Sequence, residues 1–281
     1  MNVLVTGGSS GIGLAAAREL ARRGATVALL GRDPGRLARA VDAVREAGGY
    51  TPAAYRADFA VLDEVREVAG RISADWERID VLANNAGLLA PWPGAASEDG
   101  LDLTLQVNHL SGFLLAHLLL PRLRAGAGRL ITTASAAEAW GWLAVDRPAA
   151  RLTRYRSRWL AYGASKQANI LFTIEAARRW GPLGILPVCY FPGLIRSRFA
   201  ATSPLWWAGK AVPVLFGSNK RGADTLVWLA ETDSARPGGY YFMRSEFGAM
   251  PWSTRASRAA RLWDASLTAV GLSPEINSAP S

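Results

Sequence analysis

Short apolar runs alternate with longer amphipathic ones through the first half of the chain. Residues 2–6 (NVLVT), 25–30 (ATVALL), 52–57, 79–83 (IDVLA) and 129–133 (RLITT) predict strands, and 14–23, 34–47, 61–76 and 99–124 predict helices. The first helix is alanine-rich and stops at Gly24, the residue type that suits a helix C-terminus. Pro34 stands at the start of the second, where its missing N–H costs nothing. The third sets Leu62, Val65, Val68, Ala69 and Ile72 along one side. The strands are apolar on both faces, the pattern of a parallel sheet covered by helices. A helix at 162–180, a strand at 184–190, a helix at 221–231 and a short strand at 239–242 continue the series. The expectation is a single α/β domain over 1–281, a doubly wound parallel sheet with helices on both faces. Three stretches break the pattern: an insert at 138–160, a variable lid at 194–219, and a tail at 243–281 with a helix at about 254–270.

Composition sharpens this. Of 281 residues, 50% are hydrophobic and 20% charged, which excludes a chain too polar to bury a core. Lys and Arg number 32 against 23 acidic residues, a formal charge of +9, and Lys166, Lys210 and Lys220 are the only lysines. Such a surplus points to nucleic acid, a membrane surface or an anionic ligand. Its densest part, Arg147, Arg151, Arg154, Arg156 and Arg158, lacks both a groove-reading module and the aromatic interleaving of a single-strand platform, so nucleic acid is not expected. It reads as a solvated face, or as an attractor for an anionic substrate, a carrier arm or an acidic partner. One cysteine, Cys189, excludes an intrachain disulfide and fits a reducing compartment. The chain opens on a strand instead of a signal peptide, and its apolar runs are too short to span a bilayer, so a cytoplasmic location is expected. His109 and His117 lack a companion ligand cluster, and no metal is expected.

Chemistry enters at Thr6-Gly-Gly-Ser-Ser-Gly-Ile-Gly13, between the first strand and the first helix. Gly7 allows the tight turn, Gly11 lets a pyrophosphate approach the backbone, and Gly13 lets the helix sit on the sheet. Ser9, Ser10 and Ile12 complete the cradle, and the free N–H groups of the helix start face the phosphates. This is a Rossmann-like dinucleotide turn. At the end of strand two stands Leu-Gly-Arg32-Asp33. Arg32 suits a 2′-phosphate and Asp33 is the counter-candidate for a ribose contact; NADP(H) is the favoured cofactor. Further on, Tyr162 and Lys166 are four apart on a helix and share a face. An ammonium beside a phenol is expected to draw its pKa toward neutrality, readying it to exchange a proton with a substrate oxygen.

These motifs, in this order, resemble the short-chain dehydrogenase/reductase family over residues 1–245. Added to them are Asp58, Asn84-Asn85-Ala86-Gly87, Asn108, Ser135 and Pro192-Gly193. Runs at 105–123, 159–179 and 238–242 are similar to its retinol-dehydrogenase-like reductases. The resemblance implies that Tyr162 is the acid/base, Lys166 tunes it and holds the nicotinamide ribose, Ser135 binds the substrate carbonyl, and Asn108 holds a relay water. It implies that Asn84, Ala86 and Gly87 line the adenosine side, with Asp58 and Phe59 at the adenine. It places Pro192, Gly193, Ile195 and Ser197 along the nicotinamide. It also implies a homo-oligomer. Two departures stand out. Ser135 follows Thr132-Thr133-Ala134 where the subgroup usually has two serines together, and Phe191 replaces a frequent histidine.

Trp92, Trp140, Trp142, Trp159, Trp206 and Trp207 fall in the predicted loops or insert. Trp140 and Trp142 follow Ser135 and are candidate substrate contacts; Trp206 and Trp207 are candidate lid residues. Packing of the insert is the competing role for each. The expected activity is interconversion of a bulky lipophilic or aromatic ketone or aldehyde with its alcohol. Two other readings keep the same site: a biosynthetic tailoring enzyme acting on a double bond or imine or as a non-redox cyclase or epimerase, and a non-catalytic NADP(H) sensor. A sensor has no need of all four catalytic-type residues.

Overall fold

A computed structural model describes residues 1–91, 94–146, 157–195 and 217–273. Strands β1 (Asn2–Thr6), β2 (Thr26–Gly31), β3 (Ala53–Arg56), β4 (Val81–Asn84), β5 (Arg129–Thr133), β6 (Leu186–Tyr190), β7 (Tyr240–Phe242) and β8 (Ser245–Glu246) form one sheet in the order 3-2-1-4-5-6-7-8. All neighbours pair in parallel except β7 and β8. The expected doubly wound sheet is therefore present, and the order reverses beside β1, where such sheets open a crevice for ligands.

Alternation along β1 divides the core in two. Val3 and Val5 face helices α1 (Gly11–Arg22), α2 (Pro34–Gly48) and α8 (Asn219–Glu231), while Leu4 joins the opposite layer. That layer contains α3 (Leu62–Asp75), α5 (Ser111–Leu118), α7 (Arg158–Trp180) and α10 (Ala256–Ala269).

The expected continuous helix over 99–124 is subdivided. Gly100 turns the chain at φ +74°, and Asp102 then caps the start of α4 (Leu103–Leu105) by accepting the Leu105 N–H at 2.7 Å. Gln106–Leu110 widens into a π-helical turn before α5. Pro121 cannot continue α5, because its ring would clash with the preceding turn, and α6 (Leu120–Ala125) begins there. α7 starts earlier than 162, since Ser157 caps it by accepting the Leu160 N–H. That removes Trp159 from the predicted insert and places it in the helix.

The short strand β8 is an addition to the expected elements. Met243 and Arg244 form its hairpin turn with φ of 51° and 64°, values costly for side chains bearing a β-carbon. After α9 (Pro251–Thr254), α10 buries Leu262 and Trp263 together with Leu267, and Val270 follows at its end. The apolar face of the tail is thus spent inside the molecule, against Phe113, Phe172 and Trp180. Among the described residues no helix is long and apolar enough to cross a membrane.

Candidate active site

The glycine-rich turn lies at the carboxyl end of β1. Gly7 and Gly11 have φ of +64° and +57°, which glycine adopts without strain. A β-carbon on Gly13 would lie 2.5 Å from the Gly7 carbonyl oxygen, so the helix sits this close to the turn only because residue 13 is glycine. One on Gly11 would meet nothing within 4 Å, so this side faces open space. The start of α1 has no side-chain cap from Ser10 and no acidic residue in its first turn. Its N–H donors are left for an external anion, which is the fit a pyrophosphate requires. Ser9 packs its hydroxyl against Gly31, and Ile12 meets Ile195 across Gly222.

At the end of β2 the two candidates separate. Asp33 accepts the Arg36 N–H at 2.7 Å as the cap of α2, and this bond holds its carboxyl below the usual range. Arg32 extends into solvent with a long 3.5 Å contact to Asp58. The geometry therefore leaves Arg32 available for a phosphate and commits Asp33 to the helix. Asp58 also accepts the Ala60 N–H at 2.9 Å. Phe59 enters through its backbone alone: its ring is in the core and its carbonyl accepts from Gln106 and Ser111. The Asn84 amide is likewise turned inward, donating to the Gly112 carbonyl at 3.1 Å. The next residues are fixed by Thr6, whose Oγ1 accepts the N–H groups of Asn85 and Ala86, both at 3.0 Å. Gly87 faces Asn108 Oδ1 and Lys166 Nζ.

Ser135, Tyr162, Lys166 and Asn108 converge on this crevice from β5, α7 and the π-turn. The Ser135 side chain faces the Tyr162 phenol, and its Oγ accepts the Ala137 N–H at 3.2 Å. Asn108 accepts the Leu88 N–H at 2.7 Å and donates to Leu88 O and Ser165 Oγ, each at 3.0 Å. Ser165 in turn donates to the Tyr162 carbonyl at 2.7 Å. Lys166 is buried, donates to the Thr133 carbonyl at 3.0 Å and stands 5.4 Å from the Tyr162 ring centre.

The expected lowering of the Tyr162 pKa by Lys166 is overturned for these residues on their own. Desolvation raises the phenol above its ordinary value, with the Ser135 hydrogen bond opposing it. Desolvation also lowers the Lys166 ammonium to about 7. Burial disfavours the charged form of each, the phenolate of Tyr162 and the ammonium of Lys166.

Around the mouth, Trp140 and Trp142 are 56% and 69% exposed, and the Arg258 guanidinium lies 5.6 Å from the Trp142 ring centre. Trp159 stands edge-on to Tyr162 with centroids 6.3 Å apart. Phe191 stacks on Phe242 at 5.0 Å beside the Pro192-Gly193 turn, where Gly193 has φ +86°. Exposed large apolar side chains gather at this end of the sheet: Trp140, Trp142, Leu194, Met243, Phe247 and Met250. Leu143 and Val145 of the insert are buried in the core. Trp92, Arg147, Arg151, Arg154, Arg156, Ser197, Trp206 and Trp207 lie outside the described residues. His109 and His117 are buried, and no metal-holding group occurs among the described residues. Ser165 and Asn169 are supporting residues outside the motifs, and Thr6 and Thr133, which stand within the quoted runs, take supporting roles that the motifs did not assign.

A hydroxyl pair and a lysine beside a helix start made for phosphate define a dinucleotide-binding oxidoreductase site. Residues 1–147 match the family model described as short chain dehydrogenase. A protein of Streptomyces sp. (strain C5), named as a daunorubicin C-13 ketoreductase, is 46% identical over 96% of this chain and 92% of its own. Human retinol dehydrogenase 13 is 33% identical over 99% and 87%. A solved structure described as a short chain dehydrogenase from Escherichia coli CFT073, complexed with NADPH, has a TM-score of 0.66 at 30% identity, covering 85% of this chain and 95% of that one. The chain belongs to the short-chain dehydrogenase/reductase family, on its retinol-dehydrogenase-like side, and is an oxidoreductase.

Proposed function

We propose that the protein is an NADP(H)-dependent reductase that interconverts a bulky lipophilic or aromatic ketone or aldehyde and its alcohol, with Tyr162 as acid/base. The observation that carries this reading is the convergence of Ser135 and Tyr162, with Lys166 Nζ 5.4 Å from the Tyr162 ring centre, at the crevice opened by the glycine turn. The ketoreductase name of the Streptomyces relative and the NADPH of the Escherichia coli structure support it.

The uncapped start of α1 holds the pyrophosphate and Arg32 the 2′-phosphate. Asp58, Ala86 and Gly87 line the adenosine, Lys166 reaches the ribose, and Pro192-Gly193 borders the nicotinamide. The reduced nicotinamide supplies the hydride. As charge grows on the carbonyl oxygen, the Ser135 and Tyr162 hydroxyls stabilise it and Tyr162 delivers the proton. Desolvation keeps Tyr162 protonated, which suits the reductive direction. The exposed apolar rim around Trp140 and Trp142 favours a lipophilic substrate over a polar one.

The test follows NADPH oxidation with a panel of aryl and long-chain alkyl ketones and aldehydes. Turnover of the larger apolar members is expected, and Tyr162→Phe lowers kcat by roughly 10²–10⁴-fold with NADP⁺ binding retained. Full activity in Tyr162→Phe, or no turnover and no NADP⁺ binding in the parent, overturns the reading.

A further inference from the structure

His109 follows Asn108 in the π-turn and is 2% exposed. Its two ring nitrogens reach different parts of the molecule. Nδ1 lies 3.3 Å from Asn169 Oδ1 on α7, and Nε2 lies 3.1 Å from Ser266 Oγ on α10. Asn169 Nδ2 donates at 3.0 Å to the Thr133 carbonyl. That oxygen also accepts Lys166 Nζ at 3.0 Å. Lys166 and Asn169 are three apart on α7, so both side chains address one face and share one acceptor.

The protons in this chain have one consistent arrangement. A carbonyl only accepts, so Asn169 turns its nitrogen to Thr133 and its oxygen to His109. His109 must then carry its proton on Nδ1. Nε2 is left as an acceptor, and the Ser266 hydroxyl must donate to it. The order of donation runs Ser266 to His109 to Asn169 to the Thr133 oxygen, where it meets the donation from Lys166. Desolvation lowers the imidazole to about 4, so it stays neutral and the arrangement persists across neutral pH.

We propose that His109 is a positioning residue through which the C-terminal helix, by Ser266, fixes the Thr133 carbonyl and hence the place of Lys166 beside Tyr162. The inference rests on the proposed roles of Tyr162 and Lys166, but its geometry can be tested apart from them. It gives α10, which otherwise reaches the site only through Arg258 at its mouth, a part in the chemistry.

Two measurements on the full chain need no substrate. With ¹⁵N-labelled histidine, NMR is expected to show His109 as the Nδ1–H tautomer; the Nε2–H tautomer overturns the proposal. The chain has three lysines, so a ¹³Cε-lysine spectrum can be assigned by substitution of Lys210 and Lys220. The Lys166 signal is expected to shift in Ser266→Ala and in His109→Leu and to return toward its parent position in His109→Asn, whose amide replaces the Nδ1–H donor. An unmoved Lys166 signal in Ser266→Ala overturns the proposal, and that variant deletes a single oxygen, so it reports even if His109→Leu does not fold. In turnover of the best ketone found above, His109→Leu is expected to lose about tenfold in kcat, with most of the loss recovered by His109→Asn. Equal losses in the two variants would mark a packing role only and overturn it. If no ketone is turned over, the functional reading fails while the two spectra still decide this one.

Discussion

A β-carbon placed on Gly141 would stand 2.1 Å from the carbonyl carbon of Gly163, the residue after Tyr162. The loop that follows Ser135 and the turn that carries Tyr162 therefore touch backbone to backbone. From the other side, a β-carbon on Gly163 would lie 2.5 Å from the Ala137 carbonyl oxygen. This contact sets the separation of the two hydroxyls that the proposed chemistry needs.

Gly163→Ala is expected to lower kcat at least tenfold and to lower the melting temperature by a few degrees, because the backbone clash exceeds the gain in helix propensity. The added methyl pushes the loop off the helix, and alanine returns up to about 1 kcal/mol of helix propensity. Steady-state kinetics beside a thermal melt separates the two effects. A variant with parent kcat would mean that the loop yields freely.

Arg32→Ala is expected to weaken NADP⁺ binding by roughly 10–100-fold and leave NAD⁺ binding nearly unchanged. The loss corresponds to a charge-assisted hydrogen bond of about 1.5–3 kcal/mol. The solvent-exposed contact to Asp58 adds little to stability, so the fold should be unaffected. Calorimetric titration with both dinucleotides checks the prediction.

Stability should fall as pH drops from about 6.5 to about 4. His109 and His117 are each lowered to about 4 by desolvation, from an ordinary 6.5. In that interval the unfolded chain takes up protons that the folded chain refuses, which favours unfolding. Asp102, raised to about 6 by burial, works the other way, since the folded chain keeps a proton that the unfolded chain releases. Two groups outweigh one, leaving a net decline. Urea midpoints at pH 7 and pH 5 measure it, and His117→Phe should reduce the difference.

Trp263→Ala is expected to cost about 3–5 kcal/mol, the range for a large aromatic removed from a core. Its ring centre lies 5.2 Å from Phe113, 5.1 Å from Trp180 and 4.8 Å from His117. Urea unfolding of the two proteins gives the difference directly. A loss below 1 kcal/mol would show that the tail is dispensable to the fold.

The sheet was legible because its strands are apolar on both faces; β5 occupies the predicted residues 129–133. The glycine turn and the Tyr162/Lys166 spacing were legible because their chemistry depends on short fixed separations. The π-turn at 106–110 was not, since apolar periodicity carries no sign of one residue inserted into a helix. The preference for Arg32 over Asp33 was legible too, since Pro34 marks the start of α2; the structure adds the bond by which Asp33 caps it. The supports of Lys166 were hidden because they meet at a main-chain carbonyl, and Ser266 lies a hundred residues further along the chain. The tail's apolar stripe announced that it would be buried but not by what, and only the fold supplies Phe113 and Trp180 as its partners.

The burial of Trp263 also has a consequence for synthesis. Phe113, Phe172 and Trp180 are made long before the helix that covers them. While the ribosome is still short of residue 256, the sheet layers can assemble, but one aromatic face stays open to water. The growing chain is therefore exposed to aggregation until residues 256–269 emerge, and the segment that seals that face is also the one whose Ser266 meets His109.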